Sequence, residues 1–213
     1  MEKARTLARM QESGALGIIR VQGSDNFFRI AQALREGGLE HIEITMTSPG
    51  ALRAIEEGAA NLDGIILGAG TVLDAATARQ VILAGAEFIV TPTVKIDVIE
   101  MAHRYGKVVI PGAMTPTEIL TAWEAGGDMV KVFPAEFLGP RYLQAVHGPL
   151  PQISLVPTGG ITAQNATEFI RAGAAMVCAG GWLLDKKSIA EGRYEVLATR
   201  ARQLMEAVRR GKT

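Results

Sequence analysis

The sequence predicts an α/β fold of the (β/α)8 TIM-barrel class, and three observations carry that expectation. Eight short apolar runs recur along the chain, most rich in β-branched side chains, as strands buried on both faces are. Segments of helical periodicity alternate with them, which implies parallel strands joined by crossover helices. The length, 213 residues, suits one large core and lies near the lower limit for eight such units. An open doubly wound sheet satisfies the same alternation, but eight units favour closure.

Taken in order, the predicted strands cover 16–21, 40–45, 65–67, 87–90, 108–110, 129–133, 153–156 and 175–178. The clearest helices cover 26–37, 75–85, 96–105, 117–126 and 163–173, and residues 1–10 mix charged and apolar positions as a first helix does. Asp25, Asp74 and Thr115 precede helices as N-cap candidates, with Pro116 just inside the third. Gly37-Gly38, Gly85, Gly126-Gly127 and Gly173 stand where helices end and a left-handed residue is wanted. No linker, low-complexity tract or shift of composition divides residues 1–213, so a single domain is expected.

Composition excludes several function classes. Twenty-two basic and 22 acidic side chains cancel, and a pI near 6.9 offers no electrostatic case for nucleic acid or an anionic membrane. No apolar stretch approaches the ~20 residues that span a bilayer. The single cysteine, Cys178, excludes an internal disulfide and suits a reducing compartment, so a soluble cytoplasmic protein is expected. His41, His103 and His147 have no metal-ligand spacing, and no metal site is expected. Cys178 lies in an apolar run and reads as a small core residue, while Trp123 and Trp182 read as packing.

The chemistry is sought where strands end, because barrel active sites are built there. Lys131 stands in the middle of an apolar run, Asp128-Met-Val-Lys131-Val-Phe133-Pro134. Burying an ammonium is costly, and a buried amine answers by favouring its neutral form, which is the form that attacks a ketone. Glu43 interrupts the second strand, His41-Ile-Glu-Ile-Thr-Met-Thr-Ser-Pro49, with Thr45 on the same face and Ile42 and Ile44 on the other. The second and sixth strands are both even, so Glu43 and Lys131 are expected to share an interior layer and face one another. Such a pair adds little stability over apolar residues, which points to chemistry.

Weaker signals surround these two. Arg20 closes the first strand and is able to hold a carboxylate or phosphate bidentately. Gly68-Ala-Gly-Thr71-Val ends the third strand, where glycines let the backbone approach a ligand, and Thr91-Pro92 ends the fourth. The seventh strand runs into Thr158-Gly159-Gly160 and the eighth into Ala179-Gly180-Gly181. Phosphate commonly binds at these two loops of a barrel, on backbone N–H groups, so a phosphorylated small-molecule substrate is expected.

These residues together resemble the 2-keto-3-deoxy-6-phosphogluconate aldolases, which often also act on 4-hydroxy-2-oxoglutarate. The resemblance runs from about residue 16 to 184 and includes Glu43-Ile-Thr, Gly68-Ala-Gly-Thr-Val, Phe88-Ile-Val-Thr-Pro92 and Pro111-Gly-Ala-Met-Thr-Pro-Thr-Glu118. It continues through Val130-Lys-Val-Phe-Pro-Ala-Glu136, Gly139-Pro140, Gly148-Pro149 and Val156-Pro-Thr-Gly-Gly-Ile161. It implies a class I aldolase of the Entner–Doudoroff route that needs no metal or organic cofactor, assembled as a homotrimer. Lys131 would be its Schiff-base lysine and Glu43 its acid/base. Thr71, Pro92 and Phe133 fall at the family's substrate pocket and Gly159 and Gly160 at its phosphate loop; Arg20 and Thr45 are expected to join the substrate site, and Gly180 and Gly181 the phosphate site. The chain departs from the family where Gly181 replaces a common serine and where Thr47 replaces an arginine found in some members. These departures keep open an aldolase for a non-phosphorylated or galactonate-type acid, and a non-catalytic barrel that binds a phosphate ligand is a further alternative.

Overall fold

A computed structural model describes residues 2–20 and 25–213. Nine strands are defined among them: β1 Ala15–Ile19, β2 His41–Thr45, β3 Ile66–Gly70, β4 Phe88–Val90, β5 Val108–Ile110, β6 Gly112–Ala113, β7 Val130–Val132, β8 Leu155–Pro157 and β9 Val177–Ala179. Ten α-helices run between and beyond them: α1 Glu2–Ser13, α2 Asp25–Glu36, α3 Ala51–Asn61, α4 Ala75–Leu83, α5 Ile96–Arg104, α6 Pro116–Glu124, α7 Gly139–His147, α8 Ala166–Arg171, α9 Lys186–Ala190 and α10 Glu195–Lys212. Every expected strand and helix is present, shifted by a few residues at its ends. The long α10, which packs on α2 and α8, is absent from the sequence-based set. Val21 lies outside the described residues.

All strand pairs are parallel. β5-β4-β3-β2-β1-β9 form one sheet and β6-β7-β8 another. Only Pro111 separates β5 from β6, and a proline has no N–H to give a ladder. The Thr91 hydroxyl takes the place of a backbone acceptor by receiving the Gly112 N–H at 3.3 Å. On its other side the same segment accepts from β7, Lys131 N to Pro111 O at 2.9 Å. An isolated parallel bridge, Thr158 to Cys178, joins the far edges of β8 and β9. The result is a parallel sheet curled around an apolar interior with helices outside.

Strand alternation sorts the buried side chains into two cores. Ile42 and Ile44 of β2, with their counterparts on other strands, pack against the helices. Leu16, Ile66, Phe88, Val90, Val108, Ile110, Val156, Met176 and Cys178 point the other way and fill the interior, where Met10 of α1 joins them from below. His41, Glu43 and Thr45 have the interior parity on β2, and Lys131 has it on β7.

Local chemistry explains the helix starts. Asp74 accepts the Thr77 N–H at 2.7 Å, and Thr115 and Glu118 form a reciprocal capping box ahead of Pro116. Each such cap satisfies N–H groups otherwise left without partners and is worth about 1 kcal/mol. Asp25 is the first residue of α2, and the residues before it lie outside the described ones. His103 and His147 pair with the carbonyls of Gly126 and Gly173, both at 2.9 Å, and so tie helix ends to neighbouring turns. Trp182 packs on the core as expected, whereas Trp123 is 40% exposed on α6.

Candidate active site

Glu43 is 1% exposed and Lys131 6%. Ile18 and Gly68 flank Glu43 on the neighbouring strands, and Gly112 and Val156 flank Lys131. Burial drives the Glu43 carboxyl above its ordinary range, and the positive charges of Lys131 and then Arg20 oppose that rise. Its Oε2 has no hydrogen-bond partner among the described residues. The two residues are therefore electrostatic neighbours without being locked into a closed ion pair, which leaves a carboxyl oxygen for a proton of something else.

Two glycines of β3 make room for this arrangement. A Cβ on Gly70 would lie 1.7 Å from Glu43 Oε1, and one on Gly68 would lie 2.3 Å from the Phe88 ring. The sequence suggests that these glycines admit a ligand; in the structure the space they leave is filled by the protein's own carboxyl and ring. The pattern of glycine at alternate positions on the strand beside Glu43 is the signal for that packing.

The predicted pocket residues fall on strand ends around this pair. Phe133 follows β7, is 38% exposed, and sets its ring centroid 5.0 Å from Lys131 Nζ, within cation–π range. Arg20 follows β1, exposed, and acts on Glu43 by its charge. Pro92 follows β4 and is half-buried. Thr71 follows β3, half-buried, with a positive φ of 58°, a conformation that costs a β-branched residue of the order of 1–3 kcal/mol. Thr45 differs from the others. It is fully buried, and its hydroxyl meets Ile19 O at 3.4 Å, Ser48 at 3.2 Å and Thr47 at 3.3 Å. Its hydroxyl ties the end of β2 to β1 and to the turn that follows.

The two glycine pairs take different forms. Gly159 and Gly160 after β8 have φ of 99° and 68°, a left-handed pair whose turn Asn165 closes by donating to Gly160 O at 2.9 Å. Gly180 and Gly181 after β9 have no positive φ. A Cβ on Gly180 would touch Ile18, while one on Gly181 would meet nothing within 4 Å. Cys178, in the interior beneath, is 2% exposed, and burial together with the Glu43 charge pushes its thiol up to about 12. It is an inert filler at neutral pH, in line with the sequence reading.

The family model and the curated relatives agree on one family. The family model for KDPG and KHG aldolase matches residues 7–199. The chain is 31% identical over 207 residues to the 2-dehydro-3-deoxy-phosphogluconate aldolase of Haemophilus influenzae, covering 95% of this chain and 96% of the relative. It is 34% identical over 198 residues to the 2-dehydro-3-deoxy-6-phosphogalactonate aldolase of Escherichia coli K12, covering 91% and 94%. The solved KDPG aldolase of Legionella pneumophila, with pyruvate captured as a covalent carbinolamine intermediate, is similar with a TM-score of 0.86 at 26% identity, covering 93% of this chain and 97% of that one. On this match across most of its length, the chain belongs to the KDPG and KHG aldolase family, and it is an aldolase, a carbon–carbon lyase.

Proposed function

We propose that this chain cleaves 2-keto-3-deoxy-6-phosphogluconate to pyruvate and glyceraldehyde 3-phosphate, with Lys131 as Schiff-base lysine and Glu43 as acid/base, and that it also cleaves 4-hydroxy-2-oxoglutarate to pyruvate and glyoxylate. The observation that carries this reading is a buried lysine and a buried carboxyl with an unpartnered oxygen on interior positions of β7 and β2, close enough for the charge of Lys131 to act on Glu43. Neutral Lys131 Nζ attacks the C2 ketone, and loss of water gives an iminium. Glu43, as carboxylate, takes the proton of the C4 hydroxyl directly or through a water. The C3–C4 bonding pair then moves into the iminium, leaving an enamine and a free aldehyde. Protonation of the enamine at C3 and attack of water at C2 release pyruvate and restore the lysine. A carboxyl whose pKa is raised by burial suits this work, because it is a stronger base than an exposed one when it accepts the proton.

Arg20 holds the substrate carboxylate in this reading. Thr45, Thr71, Pro92 and Phe133 shape the pocket, and Gly159, Gly160, Gly180 and Gly181 offer backbone N–H groups to the phosphate. The curled sheet is read as a closed eight-stranded barrel forming a single domain, in which β5 and β6 act as one strand and the Thr158–Cys178 bridge completes the ring. Leu52, Leu73, Ile96, Met114 and Phe137, the last 77% exposed, all follow strand ends on the mouth side. Exposed apolar side chains there are compatible with an assembly of copies, which the family resemblance makes a homotrimer, and the reading puts the enzyme in the cytoplasm. No helix among the described residues is long and apolar enough to cross a membrane.

A second reading takes the galactonate-type or a non-phosphorylated acid as substrate. It is favoured by the similarity to the Escherichia coli phosphogalactonate enzyme and by the open space at Gly181. Intact mass after incubation with pyruvate and borohydride, followed by peptide mapping, tests the chemistry common to both. A stable adduct on Lys131 is expected; an unmodified protein would remove the Schiff-base mechanism. Turnover of the two C4 epimers then separates the substrates.

A further inference from the structure

We propose that Arg200 is a positioning residue for the Gly180-Gly181 turn, setting the affinity for a phosphorylated substrate without touching it. The inference rests on the reading that this turn receives the phosphate. Gly180 abuts Ile18, which lies beside Glu43 in the β1–β2 register, so the turn borders the catalytic interior. Two adjacent glycines have no side chains to hold their backbone and the widest conformational freedom of any residue. An anion site made of N–H groups works only if those groups already point the right way, because ordering them on binding is paid out of affinity.

The structure supplies that order from outside the turn. Leu184 N donates to Gly180 O at 2.9 Å and closes the loop. Arg200, on α10, then grips it at three points. Its NH1 donates to Trp182 O, its NH2 meets Asp185 Oδ2 at 3.0 Å, and its Cζ lies 5.7 Å from the centroid of the Trp182 ring. Asp185 passes the constraint on, because its Oδ1 accepts the Ser188 N–H at 2.7 Å and caps α9. One guanidinium thus holds a backbone carbonyl, an aromatic face and a carboxylate of the segment that follows Gly181. The Arg200–Asp185 pair is 28% exposed on each side, and such pairs contribute little to stability. A planar fork that fixes three groups in one geometry supplies orientation, and a lysine cannot reproduce it.

Steady-state kinetics of the full-length wild type, Arg200→Leu, Arg200→Lys and Asp185→Asn test this, with the phosphorylated substrate, 4-hydroxy-2-oxoglutarate, and inorganic phosphate as competing anion. In Arg200→Leu the KM for the phosphorylated substrate and the Ki for phosphate should both rise about tenfold, the scale of misplaced binding groups. The kinetic constants for 4-hydroxy-2-oxoglutarate and the pyruvate adduct on Lys131 should stay unchanged, and Arg200→Lys should fall between. Asp185→Asn keeps an N-cap acceptor while removing the ion pair, and should give a selective rise of about threefold; it decides the matter if Arg200→Leu does not fold. An equal loss on both substrates, or no change on either, overturns the proposal and leaves Arg200 a structural residue. A wild type indifferent to phosphate and to substrate phosphorylation overturns the phosphate reading itself, and that result appears before any substitution is made.

Discussion

The floor and the mouth of the curled sheet are built from the same strand and do opposite things. β2 places His41 at the floor and Glu43 two residues nearer the mouth, on the same face, and each is 1% exposed with an unpartnered side-chain atom. The surroundings differ. Glu43 has the charges of Lys131 and Arg20 acting on it, and Gly70 yields space to its carboxyl. The interior near the floor is lined by Met10, Leu16, Ile66 and Met176, while the charges acting on His41, those of Arg9 and Glu40, belong to a surface ion pair. Burial is the largest cause of the pKa shift at both positions. A site further requires an opposite charge inside the same cavity and a path to the substrate, and only the mouth has both. The three histidines make the same point, since His103 and His147 find carbonyl partners and His41 does not.

That contrast is broken most severely by Lys131→Ala. Aldol cleavage should fall to the uncatalysed level and the pyruvate adduct should vanish while circular dichroism stays native, because an amine is the only group in the proposed mechanism able to form an iminium. An active variant that still traps pyruvate would transfer the chemistry to another lysine. Glu43→Gln should lower kcat by about two to four orders of magnitude, the usual scale of general acid–base catalysis, yet still form the borohydride-trapped adduct. A near-normal rate would reduce Glu43 to a structural partner.

A smaller effect is expected from Gly70→Ala, whose Cβ would collide with Glu43 Oε1. Overpacking of this kind costs about 1–3 kcal/mol, so a lowered melting temperature together with a drop in kcat is expected. Lowered stability with unchanged kcat would show that the carboxyl's position is not critical.

The mildest test sharpens the floor. The native His41 pKa is lowered to about 4, chiefly by burial, from an ordinary 6.5. Above pH 6.5 both folded and unfolded states hold it neutral and it adds no pH dependence. Between those values the unfolded chain takes up the proton and the native state does not, so stability falls with falling pH, by about 3 kcal/mol at most, and levels off below pH 4. Glu43 acts from the other side. Its raised pKa means that the unfolded chain loses its proton first, so its contribution falls as pH rises above the ordinary carboxyl range. His41→Leu should flatten the acid limb in urea titrations at several pH values, raise stability at neutral pH by about 1–3 kcal/mol through removal of two unpaired buried nitrogens, and leave turnover unchanged. An unaltered acid limb would assign that loss of stability to other groups.

Local chemistry alone determined a good deal of this protein. β-branched runs between capped amphipathic segments are enough to mark strands alternating with helices, since each choice depends on neighbours a few residues away. Lys131 and Glu43 stood out because charge within an apolar run is costly wherever the chain goes. The family resemblance was legible for the same reason, in blocks that stay contiguous in sequence. Tertiary structure decided what depends on residues far apart. It gave Gly68 and Gly70 to Phe88 and Glu43 where the sequence suggested a ligand, turned the Thr45 hydroxyl toward β1, left His41 without a partner, and brought Arg200 from α10 to the turn after β9. No spacing rule foretells such contacts, because the partners are set by strand register and helix docking, in which a side chain's neighbours come from other elements and not from its own.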